Sequence, residues 1–193
     1  MTTPEFGFTA WGADIVRIAE PITTSTPNVL APRARRIARN DGVTLAVDGR
    51  QVTAHVHRGG QASVAHLEMT TMDGAVATAA RELMGPRTEP DDAVHAALRE
   101  RGLHPAPSIE AADCSCRART MMCVHVLAAL YALASLIDHE PSTVLTIQSF
   151  RTADSVPAGD VAQSRPIPRW TPLAALDVRG YYAARPTAPV TTR

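Results

Sequence analysis

All three cysteines of the chain and one histidine fall within twelve residues, as Cys114-Ser115-Cys116, a six-residue spacer and Cys123-Val124-His125. Thiolate and imidazole are soft or borderline donors, and three sulfurs with one nitrogen form a set that tetrahedral zinc prefers. Iron–sulfur ligation is the alternative, although a single His among four ligands is unusual for such clusters. Three buried cysteines beside an unrelated histidine would also be ordinary, but a C-x-C and a C-x-H this close together argue for convergence. With four protein donors, no coordination position remains for an activated water, so the expected site is structural rather than catalytic. An odd number of cysteines, all clustered, does not make a disulfide framework and fits a reducing compartment.

The donors converge only if particular elements hold them. Side chains two apart on a strand share a face, so Cys114 and Cys116 can both aim at one point. On a helix, residues two apart diverge by about 200°. Cys123 must therefore precede a helix, with His125 in its first turn. Val126, Leu127, Ala129, Leu130, Leu133, Ala134 and Ile137 predict that helix over 125–137, densely enough spaced to be well buried. Ser108 to Asp113 reads as a short strand entering the cluster. Three thiolates and one divalent ion leave a formal −1, which is favoured at a helix N-terminus. Loss of the ion is expected to unfold at least 108–137, because ligand binding in such modules is folding energy.

The rest of the chain supplies the scaffold. Residues 1–30 read as loop-rich, with Phe6-Gly7-Phe8, Trp11-Gly12 and a short apolar stretch at Ile15, Val16, Ile18 and Ala19. Pro32 opens a short Arg-rich helix, which Asn40-Asp41-Gly42 stops. Val43, Leu45 and Val47, then Val52, Ala54 and Val56, alternate about Asp48-Gly49, a hairpin signal. Gly59-Gly60 leads into a third strand at about 62–69. Two helices follow, one capped by Asp73 and stopped by Gly85-Pro86, the other running from Pro90 to Gly102. Beyond Arg151, Pro157, Pro166, Pro168, Pro172, Pro186 and Pro189 break any periodicity, so 151–193 reads as an extended Pro-rich tail. The expected class is α+β: a small antiparallel meander with packed helices, in segments 1–107, 108–150 and 151–193.

The metal motif, running straight into Val126-Leu127-Ala128-Ala129-Leu130-Tyr131, resembles the SWIM-type zinc finger, and more specifically the SWIM proteins common in actinobacteria. The resemblance covers about residues 5–150 and is strongest at 113–137. Phe6-Gly7 with Trp11-Gly12, the Arg-rich helix before the meander and the Glu100 to Pro105 lead-in are similar to that family's N-terminal part. It implies a ββα zinc module with Cys114, Cys116, Cys123 and His125 as ligands, used for DNA binding or protein contact. Relatives associate with Swi/Snf-like helicases and with chromosome or transcription factors. Where such bacterial relatives carry Pro and Trp in the spacer and Lys before the last ligand, this chain has Arg117-Ala118-Arg119-Thr120-Met121-Met122 and Val124.

Charge separates the function classes. Nineteen Arg balance nineteen acids, with no Lys, so no global field draws the chain to nucleic acid or membrane. Locally, Arg33, Arg35, Arg36 and Arg39, with Arg117 and Arg119 of the spacer, are candidates for phosphate contacts. Trp170, Leu173 and Tyr181 are candidates for partner contact within the tail. His55 and His57 share a strand face with His66 diagonal to His55, which an ordinary solvated sheet face explains better than a second metal or proton-transfer site does. No phosphate loop, nucleophile elbow, paired catalytic carboxylates or HExxH motif is present. No apolar run approaches the roughly 20 residues that span a bilayer, and Met1 to Phe8 does not read as a signal peptide. The expectation is a cytoplasmic, non-enzymatic zinc-binding adaptor. Its protein partner would be a helicase-like, transcription or repair factor in a nucleic-acid transaction. The alternative is direct DNA binding through Arg33–Arg39 and the Arg117/Arg119 loop.

Overall fold

Period-two alternation builds the sheet that carries the cysteines. The computed structural model describes residues 5–22, 28–118 and 120–150, and in it β1 (Val43–Asp48), β2 (Gln51–Arg58), β3 (Gln61–Met69) and β4 (Ile109–Cys114) form one antiparallel sheet in that order. Asp48 pairs with Gln51, so the first turn is Gly49-Arg50 and Gly49 supplies its positive φ of 52°. Gly59 and Gly60, both at positive φ, close the second turn between Arg58 and Gln61. Arg50 clamps that end of the sheet by bonding Glu68 and, at 2.7 Å, Glu110.

One sheet face is apolar: Val52, Ala54, Val56, Ala65, Leu67 and Met69 are buried, whereas His55, His57 and His66 lie exposed on the other face. The helix that covers the apolar face is α5 (Val124–His139), which packs against every strand. Ten of its sixteen residues are buried, so it is apolar nearly all round rather than along one stripe. Each fully buried Leu of this helix contributes about 1.5–3 kcal/mol relative to an exposed one.

Around α5 lie α1 (Ala10–Ala19), α2 (Ala31–Arg39) and α6 (Ser142–Ile147), while α3 (Gly74–Met84) and α4 (Asp92–Glu100) pair with each other between β3 and β4. The α+β class with its antiparallel sheet is as the sequence predicts. The loop-rich reading of 1–30 is corrected. Thr9 caps α1 by accepting from the Gly12 N–H, and Trp11, Ile15 and Ala19 bury one face at i, i+4, i+8 spacing. Two further differences concern helix ends. Helix α4 begins at Asp92 rather than Pro90, with Asp91 as its N-cap accepting from the Val94 N–H at 2.9 Å, and α6 has no counterpart in the sequence reading. The described residues belong to one compact unit, Met1–Val156; the second unit, Pro157–Arg193, lies outside the described residues. No helix among the described residues is long and apolar enough to cross a membrane.

Candidate metal centre

Pairing with β3 aims the first donor. Cys114 stands opposite the buried Ala65, so its side chain faces the helical layer while Asp113, opposite His66, faces away. Ser115 fastens the end of the strand, donating its N–H to Val64 O and accepting the Val64 N–H on its hydroxyl, each at 2.9 Å. The strand stops there. Cys116 therefore reaches the cluster from a bend rather than from a strand face, a difference from the strand geometry expected for the C-x-C pair. The bend brings backbone N–H groups towards sulfur: that of Cys116 favours the Cys114 thiolate, and that of Ala118 the Cys116 thiolate.

The second pair lies across the start of α5. Cys123 is the N-cap, with extended φ −72° and ψ 169°, and is 1% exposed. His125 is the second helical residue and half-buried, as the C-x-H spacing requires. Cys123 makes no side-chain capping bond to α5, so its sulfur is turned to the cluster at the positive end of a sixteen-residue helix.

The four donor atoms all lie within 4.8 Å of one another, and Cys114 Sγ is 3.7 Å from His125 Nδ1. Zn–S of about 2.3 Å and Zn–N of about 2.0–2.1 Å give tetrahedral donor–donor edges of about 3.5–3.8 Å. The donor set thus fits a four-coordinate zinc ion with contraction of about 1 Å at most along its longest edge. Electrostatics point the same way. Burial, with hydrogen bonds to Cys116 and Cys123, pushes the Cys114 thiol up to about 12. At Cys116 desolvation is outweighed by the Ala118 N–H and by bonds from Cys114 and Cys123, and the net direction is downward. Three neighbouring sulfurs cannot all ionise without a cation among them, and a divalent ion removes that conflict. Bound there, zinc would supply cross-linking of β4 to α5. With all four positions of a tetrahedral ion taken by protein, none would be left to activate a substrate.

The other sequence candidates are dispersed. Arg35 pairs with Glu20 and lies 5.4 Å from the Tyr131 ring centre; Arg39 pairs with Glu5 and holds that carboxyl below its ordinary range. Arg33 and Arg36 are exposed, with no carboxylate partner among the described residues. Arg117 is exposed beside the cluster, while Arg119, Trp170, Leu173 and Tyr181 lie outside the described residues. His66 bonds the Thr53 hydroxyl at 3.2 Å, and the three sheet histidines form no metal-holding group among the described residues.

Two buried polar constellations escape the sequence reading. Asp138, 6% exposed, accepts from Gly7 N (2.7 Å), Phe8 N (3.2 Å), Thr9 N (2.9 Å) and Thr9 Oγ1 (2.7 Å), which docks the N-terminal segment onto α5. A Cβ on Gly12 would come within 2.1 Å of Asp138 Oδ1, which accounts for that glycine inside α1. Asp14 bonds His95 at 2.8 Å, and the Trp11 ring stands edge-on to His95, joining α1 to α4. Gly7 and Gly12 are the visible signal in the sequence; their partner, more than a hundred residues away, is not.

Searches against models of protein families, curated proteins and solved structures match nothing to this chain.

Proposed function

We propose that this chain is a non-enzymatic, SWIM-type zinc-binding adaptor that presents a protein-binding surface in a nucleic-acid transaction such as transcription, repair or recombination. The observation that carries the reading is the convergence of Cys114, Cys116, Cys123 and His125 within 4.8 Å at a strand–helix junction. Among the described residues of 108–150, one strand, β4, stands ahead of α5, rather than the two of a ββα module; on this reading β3, which pairs with β4, stands in as the other strand. A closed ligand set supports a structural role for the ion. On this reading the contact surface includes the loop between the ligand pairs, where Met121 is 61% exposed.

The test compares partners recovered from native lysate by the wild-type chain, Met121→Asp and Cys114→Ser, each with and without nuclease. The reading expects a partner that survives nuclease and is lost with both variants. A partner retained by Cys114→Ser, or lost on nuclease treatment alone, would count against it.

A second reading is direct DNA binding, favoured by the absence of carboxylate partners for Arg33, Arg36 and Arg117 among the described residues. Binding through phosphates weakens linearly in log–log with salt. The absence of affinity for a DNA duplex at low salt would exclude it.

A further inference from the structure

A pocket of about 160 Å³ lies where α2 ends and the sheet begins, lined by Arg36, Ile37, Asn40, Gly42 and His57. No acid lines it; Asp41, exposed and next in sequence, is outside the lining. The lining includes Arg36 and Asn40, whose guanidinium and carboxamide can both donate to an oxyanion. Arg36 is available for such a ligand, because Arg35 and Arg39 of the same helix are held by Glu20 and Glu5 whereas Arg36 has no carboxylate among the described residues. A helix C-terminus disfavours an anion, but the carbonyls nearest the pocket are already bonded. Arg36 O accepts from Asn40 N–H and Ile37 O from Gly42 N–H. Gly42 leaves bare backbone there, since a Cβ would meet Ile37 O at 2.8 Å and His57 O at 3.1 Å.

The strand register relates this pocket to the metal centre. Gly42 bonds His57 across β1 and β2, His57 faces Ala62 across β2 and β3, and Val64 bonds Ser115 where β4 ends. The pocket and the metal-bearing loop therefore leave the same end of the sheet, about three strand spacings, or about 14 Å, apart. Cationic groups stand at both corners: Arg36 at one and Arg117 at the other.

We propose that the Arg36–Asn40–His57 pocket is an oxyanion subsite that takes one phosphate of a nucleic-acid backbone, with Arg117 meeting the same backbone at the opposite corner. This rests on the direct-binding reading and adds the site to it. A contact to phosphate reads the backbone and not the bases, so it is independent of sequence.

The test uses the zinc-loaded full chain, a labelled random-sequence DNA duplex and, separately, inorganic phosphate. Anisotropy across a salt series should show binding by the wild-type chain. Arg36→Gln should lower the salt slope by about one, Asn40→Ala should weaken binding several-fold, and Arg101→Gln, at the C-cap of α4 rather than in the pocket lining, should change neither. Backbone amides of Gly42 and His57 should shift on adding duplex. Duplex binding that ignores both pocket variants would overturn the subsite and leave direct binding standing. No duplex binding at low salt would overturn both. Amide shifts with inorganic phosphate but not with duplex would assign the pocket to free phosphate and overturn the nucleic-acid assignment.

Discussion

Cys114 shows at the residue scale why the cluster calls for a cation. Its thiol is pushed up to about 12 by burial and by its neighbours, so at neutral pH the metal-free site holds a proton that an ion must displace. Replacing Cys114 with Ser removes one of four donors and leaves the other two sulfurs crowded. We expect Cys114→Ser to lose bound zinc and at least about 3 kcal/mol of stability, a Tm fall of about 6–12 °C for a chain of this size. Calorimetry beside metal analysis checks this, and an unchanged Tm would contradict it. Asp138 is the second residue on which much depends. Asp138→Ala leaves the backbone N–H groups of Gly7, Phe8 and Thr9 without their acceptor, and we expect a loss of about 3 kcal/mol by denaturant titration. Gly12→Ala should destabilise by the same route, because its Cβ occupies the place of Asp138 Oδ1.

At the scale of elements, α4 and α5 answer to different conditions. The Val94 N–H and Arg87 hold the Asp91 carboxyl below its ordinary range at the α4 N-cap. A depressed carboxylate stabilises the fold above its unfolded value and loses that contribution as pH falls through its folded value, here below about pH 4. The Tm gap between wild type and Asp91→Ala should accordingly be full at neutral pH and close in acid, as a pH series of melts would show. For α5 the structure narrows the sequence expectation that metal loss unfolds at least 108–137. Leu127, Leu130, Leu133 and Ile137 are fully buried against α1, α2 and the sheet, so the helix has support besides the ion. Chelation should raise amide exchange first around 114–125, with 127–137 protected until global unfolding. Much of this is legible in the sequence, because it is local: the alternation of β1 and β2, the Asp73 cap and the Cys123–His125 spacing each fix a neighbour's geometry. What is not legible is non-local. Gly12 lowers helix propensity in α1, and only Asp138 of α5 explains it. The bend at Cys116 likewise depends on Ser115 pairing with Val64 of β3.

For the molecule as a whole, the helix that carries Cys123 and His125 at its start is also the central helix of the core, and Cys114 ends the fourth strand of the sheet. An ion held there would couple the sheet end to the helical layer, and a partner docked on the Met121 loop would be held against that support. The opposite sheet face, with His55, His57 and His66, stays exposed. Its histidines are readable from the two-residue period, and their failure to form a metal group follows from register. His66 faces Thr53, leaving His55 only diagonal to it. The central claim is that Cys114, Cys116, Cys123 and His125 hold one zinc ion with no position left open. X-ray absorption at the zinc edge, on protein purified in reducing buffer, tests it most directly. The account predicts three sulfurs at about 2.3 Å and one nitrogen at about 2.0–2.1 Å. A first shell containing water oxygen, fewer than three sulfurs, or no stoichiometric zinc at all would contradict it.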